Sequence, residues 1–459
     1  MNIIVLFLLF SISWAVVTAI YRLYLSPLAQ FPGPKLAILT GFVETYYDCW
    51  KRGRFWVYIS EAHKDYGPII RISPWELHID DPDWNDAYRI SSRPSKDRWY
   101  YAFVGSSEAG FGTSDHDVHR FRRKAQQAYF TQEAVASFDQ ELSTITSKLC
   151  MRLEEHRGTN QPVNLSNAFR SLATDVVTQF CFQKSYDLLD SSDFGAVFQR
   201  NIRVFPEIGM WHRHFGVVLD VMNTMPRWLV GLLNPTSLSV VDFFNDIESR
   251  SNTIVATHRD GTDVDKAQRN IIHQMLDSPD LPAKDKFAWR LALDARTFIG
   301  AGTETTGNTL TVTTFHLLSN PAKAERLRDE IQAARRQEKG PFEYSTLMQL
   351  PYLTTVSTTQ KLIHDNESIF MSPRSFCPER WLDDVERKRL ERHVQPFGRG
   401  SRSCLGIHLA QSELFVTLAM LFGAFELKLC DTDVGDIEQF HDFFSPFPYT
   451  DKGLKVTVT

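Results

Sequence analysis

One stretch governs what this chain can become: "FAWRLALDARTFIGAGTETTGNTLTVTTFHLLSN", from Phe287 to Asn320. Apolar residues recur along it at i, i+3 and i+4, which predicts a helix of more than usual length. They occupy most of its faces, so the helix must be buried and central, with other helices packed around it. Its middle is out of character. Gly300, Gly302 and Gly307 surround Glu304, Thr305 and Thr306, and each glycine costs about 1 kcal/mol relative to alanine inside a helix. Packing or function has to explain them.

The same period runs through "DHDVHRFRRKAQQAYF", "AFRSLATDVVTQFCF" and "AKAERLRDEIQAARRQ", and Pro321 separates the central helix from the last of these. Strand signals are few. "PIIRISPWELHID" (Pro68 to Asp80) predicts a hairpin and the C-terminal "LKVTVT" a strand. The fold class is therefore mainly α with a small β component. Residues 35–459 contain no repeat, low-complexity linker or long charge block, and read as one large domain. A hydrophobic content of 43% allows a sizeable core, and a formal net charge of −5 gives nucleic-acid binding no support.

Ahead of that domain, the uncharged apolar run from Ile3 to Ile20 sits at the lower limit for spanning a bilayer. A cleaved signal peptide is the competing reading, with Val17 and Ala19 as a weak cleavage site. No Lys or Arg precedes the run, whereas Arg22 and then Lys35 follow it, which favours leaving the C-terminal side in the cytoplasm. Residues 1–21 are thus expected to be a transmembrane anchor. Residues 22–34, with Pro27, Pro32 and Pro34, form a stiff exit from the membrane. The six cysteines (Cys49, Cys150, Cys181, Cys377, Cys404 and Cys430) include no C-x-x-C pair. A disulfide scaffold or zinc cage is not expected, and a reducing, cytosol-facing compartment is, although the even count leaves secretion open.

Two nucleotide templates fail on "GAGTETTGNT". G-x-G-x-x-G needs glycine at Thr305, and the P-loop spacing of Gly302 and Gly307 ends in Asn308 rather than lysine. Two readings remain for the motif: a polar patch satisfied inside a crowded helix, or a groove. In a groove, the small residues Ala301 and Gly302 admit a flat ligand, and Glu304 and Thr305 hand protons to it.

A second motif is "PFGRGSRSCLGIHLA", Pro396 to Ala410, which sets Cys404 among glycines and arginines before an apolar helix. Gly400 and Gly406 allow tight turns. Backbone N–H groups and the N-terminus of the following helix would stabilise a thiolate able to bind iron. Arg399 and Arg402 offer cations to the carboxylates of an iron porphyrin. A buried cysteine packed as a small hydrophobe is the alternative.

Phe397-x-x-Gly400-x-Arg402-x-Cys404-x-Gly406 resembles, at every fixed position, the haem-binding signature of the cytochrome P450 superfamily of haem-thiolate monooxygenases. Ala301-Gly302-Thr303-Glu304-Thr305 is similar to its oxygen-activation motif. "FCPERW" (Phe376 to Trp381) resembles the meander before its cysteine loop, and "HRFRR", with His119 and Arg123, the helix that holds a haem propionate. The wider pattern is similar to fungal members of secondary metabolism, trichodiene-oxygenase-like enzymes in particular. The resemblance implies haem b with Cys404 on its iron, and His119, Arg123 and Arg402 on its propionates. It implies Thr305 and Glu304 in proton delivery, O2 as co-substrate, and electrons from NADPH through a flavoprotein reductase. That reductase could dock on Arg387, Lys388, Arg389, Arg392 and Arg399, for which a solvated helix face is the alternative. The microsomal layout implies an endoplasmic-reticulum membrane protein, single-pass, with a cytosolic catalytic domain. "RWYYAFVGSSEAGF", "FPEIGMWHRHF" and "FFSPFPY" fall where relatives shape the pocket, and suggest a bulky apolar substrate, terpenoid or polyketide-like.

The resemblance breaks at one place. "LPYLTTV" (Leu350 to Val356) reads as the start of the family's Glu-x-x-Arg helix, yet "STTQKLIHDNESIF" (Ser357 to Phe370) already leads into the meander. A segment is missing between 356 and 357. Glu-x-x-Arg strings at Glu154–Arg157, Glu325–Arg328 and Glu386–Arg389 lie in the wrong context. The alternative to a working monooxygenase is therefore an impaired or dead relative, or a truncated gene product, with weak haem binding and an Arg380 that lacks its partners.

Overall fold

The computed structural model describes residues 3–84, 90–104, 107–233, 235, 238–262, 269–337, 342–356 and 365–459. The central helix is a single unit, Ala288–Leu318, of 31 residues. It ends just before Pro321, which opens the helix Pro321–Gln337. The periods in the other two segments give the helices His116–Gln127 and Leu165–Phe182. Both begin on a side chain that accepts from free N–H groups: Asp115 from Asp117 and Val118, and Asn164 from Asn167.

The glycine cluster has a packing explanation. Helix Leu165–Phe182 lies so close to the central helix that a Cβ on Gly302 would stand 2.9 Å from Val177 Cγ2, and one on Gly307 2.8 Å from Arg170 Cγ. Between those two points Thr174 Oγ1 and Thr303 Oγ1 are 3.1 Å apart. Gly300 meets nothing within 4 Å. The other face of the core is closed by the helix Ile407–Ala424, whose Leu414, Leu418 and Leu421 are buried. That helix is long and apolar enough to cross a membrane, but 61% of its span is buried in the fold.

The β content is small, as expected. Ile69–Arg71 pairs antiparallel with Leu77–Ile79, with Ile70 opposite His78. Lys455–Val458 is the middle strand of a three-stranded antiparallel sheet, between Val163–Asn164 and Leu427–Leu429.

The helix Ile3–Ile20 buries none of its residues. Its apolar span runs on to Leu25, beyond the boundary expected at residue 21, so residues 22–25 continue the helix rather than open the linker. The proline-rich exit is then pinned to the hairpin. Arg71 is fully buried; its N–H donates to Pro32 O at 2.7 Å and its Nη1 to Arg22 O at 2.7 Å. Gly33 has no room for a Cβ against the Arg71 carbonyl. All six cysteines are free.

Candidate active site

Cys404 lies in the turn that leads into the helix Ile407–Ala424. Gly398 and Gly400 take φ of +65° and +70°, the left-handed region in which glycine is at no disadvantage. Gly406 has φ −89°, which any residue adopts, so the turn there does not require glycine. The loop closes through Cys404 N–H to Phe397 O at 2.7 Å. Cys404 is exposed on one side, yet enough protein surrounds it that burial raises its thiol above the ordinary value. The Gly406 N–H and the Arg123 guanidinium pull it back toward the thiolate.

A cluster of positive groups stands beside the loop. Arg123 Nη1 donates to Ser403 O at 2.7 Å, and Arg402 Nη1 and Nη2 donate to Thr113 O and Ser114 O at 2.9 and 3.0 Å. His119 is buried; burial, then Arg402 and Arg123, push it down to about 3, so it is neutral. Lys96, in a loop that carries no periodic signal, joins them. Its Nζ donates to Phe111 O at 2.8 Å, and burial and Arg402 lower it to about 7. Arg402 Nε is buried with no partner among the described residues. Positive groups pressed together this closely, with an open buried donor, fit a ligand that carries carboxylates. A cysteine sulfur flanked by such a cluster fits an iron porphyrin.

The acid–alcohol pair diverges. Thr305 is exposed with Ala301, one turn before it, and its hydroxyl donates to Ala301 O at 2.7 Å. Glu304 faces the other way, into a buried two-handed ion pair: Arg170 Nε and Nη2 donate to its carboxylate at 2.8 and 2.9 Å. Gly302, expected beside Ala301 on the open groove, faces Val177 instead. Arg170 escaped the sequence reading, although a charged residue in an otherwise apolar helix was a visible signal.

The three aromatic stretches meet. Phe444 packs on Phe103 and Phe111 at 4.8 and 5.5 Å between ring centroids, and Phe103, Met210, Phe443 and Phe447 form one buried cluster. A cavity of about 720 Å³ opens between the central helix, the meander and the C-terminal loop, lined by Glu304, Thr305, Thr309, His316, Phe376 and Arg380 among others.

Arg380 has no carboxylate within ion-pair distance among the described residues. Its Nε donates to Cys377 O at 3.1 Å, and its Nη2 to Ser372 O and Ser375 O at 3.3 Å. Of the stray Glu-x-x-Arg strings, Glu154–Arg157 and Glu386–Arg389 are local surface pairs, the first across the end of the helix Asp139–Glu154 and the second within the helix Asp384–Glu391. In the basic run, Arg387 is likewise paired with Asp384 at 2.7 Å. "LPYLTTV" forms the short helix Pro351–Val356, whose first N–H groups, on Tyr352 and Leu353, both donate to Glu330 at 2.9 Å. Ser357–His364, on the far side of the expected break, lie outside the described residues.

A mainly α fold that sets a cysteine loop against a half-buried cluster of cations is the arrangement a haem-thiolate protein needs. The cytochrome P450 family model matches residues 32–357 and 354–451, two pieces that meet at residues 354–357, and the chain belongs to that family. It is 37% identical to the cytochrome P450 monooxygenase MO6277 of Ascocoryne sarcoides, over 94% of this chain and 93% of that one. It is 34% identical to the tryptophan 6-hydroxylase fscE of Fusarium equiseti, over 96% of this chain and 94% of that one. To the N-acetyltryptophan 6-hydroxylase ivoC of Emericella nidulans it is 32% identical, with the same coverage. The first of these alignments runs over 479 positions, more than the 459 residues of the chain, so that relative carries residues this one lacks. Members of the family are haem-dependent monooxygenases of small organic molecules, using haem b, O2 and electrons from an NADPH-dependent reductase.

Proposed function

We propose that this chain is the scaffold of a membrane-anchored monooxygenase that oxidises a bulky apolar or aromatic secondary metabolite, and that its missing segment impairs it. Cys404 would hold the haem iron, and Arg123, Arg402, His119 and Lys96 its propionates; Phe397, Gly400 and Gly406 shape the loop. The haem supplies O2 activation when bound. The chain's own residues do the rest. Ala301 and Thr305 face the open side, where the Thr305 hydroxyl, now given to Ala301 O, is free to turn and pass a proton. Glu304 can serve as proton source only by leaving Arg170, so that pair sets when it takes part. Aromatic walls from Phe103, Phe444 and Phe447 suit a large flat or terpenoid substrate. The relatives that hydroxylate tryptophan and N-acetyltryptophan favour an aromatic one.

The N-terminal helix, uncharged up to Arg22, supports an anchor in the endoplasmic-reticulum membrane with the domain in the cytosol. A flavoprotein reductase would meet the basic run around Lys388 and Arg392. The observation that carries the reading is the conjunction of the Cys404 loop with the cationic cluster. Cys404→Ser tests it: the thiolate-type band of the reduced carbon monoxide complex should vanish, and its persistence would exclude Cys404 as ligand.

A second reading, a haem-poor and inactive relative, is favoured by two observations. The family match breaks at residues 354–357, and among the described residues Arg380, in the meander that leads to the cysteine loop, meets carbonyls rather than a carboxylate.

A further inference from the structure

The helix Ala196–Phe215 carries Arg203, whose guanidinium lies close enough to Glu304 on the central helix, and to Arg170, to feel their charges. The Arg203 side chain is 14% exposed, and its Nη1 donates to Asp451 Oδ1 at 3.2 Å. The guanidinium sits 4.8 Å from the centre of the Phe447 ring. Nε and Nη2 are buried and have no partner among the described residues. Those two nitrogens form the side edge of the guanidinium, the fork that takes a carboxylate with two parallel bonds. Among the described residues that edge takes a carboxylate in this way at Arg170 on Glu304, Arg52 on Glu207, Arg227 on Asp242 and Arg389 on Glu386.

At Arg203 the fork is open. A buried charged donor without an acceptor is costly, and such groups are rare unless something else supplies one. The local charge balance points the same way. Arg170 and Arg203 both act on Glu304, which is already bound to Arg170 through both oxygens. One turn earlier on the same helix, the fully buried Gln199 holds Ser171 Oγ with its amide nitrogen at 3.1 Å, while its Oε1 has no partner among the described residues. Open donors and an open acceptor thus stand one turn apart on the same helix, and the donors lie against Phe447 of the aromatic cluster.

We propose that the Nε–Nη2 edge of Arg203 binds a carboxylate of the substrate, and that this enzyme acts on an aromatic or otherwise apolar carboxylic acid held by its acid end. The proposal rests on the monooxygenase reading for the ligand being a substrate, but its test needs no turnover.

The full chain in detergent is tested by equilibrium dialysis at neutral pH against 3-phenylpropanoate and the isosteric 3-phenylpropanamide, with and without added haem. The acid should bind about 10- to 100-fold more tightly, the range of a hydrogen bond to a charged group. Arg203→Leu should erase that preference. Arg203→Lys, which keeps the charge and the fold but lacks the fork, should retain only a fraction of it. Equal binding of acid and amide, no binding of the acid, or a preference that survives in Arg203→Leu would overturn the proposal. A failure of the monooxygenase reading would appear in the haem spectrum and leave the dialysis result untouched.

Discussion

Replacing Arg170 by leucine should be the most damaging single change in the core that leaves the cysteine loop alone. The guanidinium and the Glu304 carboxylate share two bonds of 2.8 and 2.9 Å, with side chains 4% and 10% exposed. Loss of one partner strands the other charge in a low-dielectric interior, at a cost of about 3–5 kcal/mol. Arg203 stands near enough to take up part of that charge, so the lower half of the range is the expectation. Replacing both partners removes the stranded charge, and Arg170→Leu/Glu304→Leu should regain most of the loss. Urea unfolding of the two variants and the parent, with the m-value held as a check on two-state behaviour, reads this directly. A single variant within about 1 kcal/mol of the parent, or a double variant no better than the single, would refute the assignment.

Two further outcomes follow from the site. In a version carrying a family-like segment between Val356 and Ser357, Thr305→Ala should lower product formed per reducing equivalent and raise hydrogen peroxide release; unchanged coupling would remove Thr305 from proton delivery. In the haem-free chain, Lys96 is lowered to about 7, so between there and the usual lysine value of about 10.4 the unfolded chain binds a proton the folded one lacks. Stability should therefore rise with pH through that window. Lys96→Met should flatten the rise in a pH series of urea midpoints, and an unchanged slope would place the effect elsewhere.

The central helix, its flanking helices, the hairpin and the apolar N-terminal helix were legible because each rests on periodicity or punctuation that one sequence displays. The loop of Cys404 was legible because its glycines and arginines occur at fixed spacing. Gly302 was misplaced for a plain reason: spacing cannot tell which side of a helix a glycine opens, and Val177, the residue it admits, lies 125 positions earlier in the chain. Lys96 and Arg203 were invisible for a similar reason. Each owes its importance to long-range neighbours, Arg402 for one and Phe447 and Asp451 for the other. Arg170 could have been found, since a charge inside an apolar helix needs a buried partner, and the central helix offers two acids, Asp294, which has Arg290 one turn before it, and Glu304.

The central claim is that Cys404 and its cationic neighbours build a haem-thiolate site whose support is incomplete in this chain. Haem binding depends on a rigidly held loop, and among the described residues Arg380 donates to the carbonyls of Cys377, Ser372 and Ser375 and pairs with no carboxylate. The direct measurement is the reduced carbon monoxide difference spectrum of the chain beside a version carrying a family-like segment between Val356 and Ser357, both expressed with reductase. The account predicts a weak thiolate band and little turnover from the chain, and a strong band with turnover from the restored version. A full-strength band and normal turnover from the chain as it stands would contradict it.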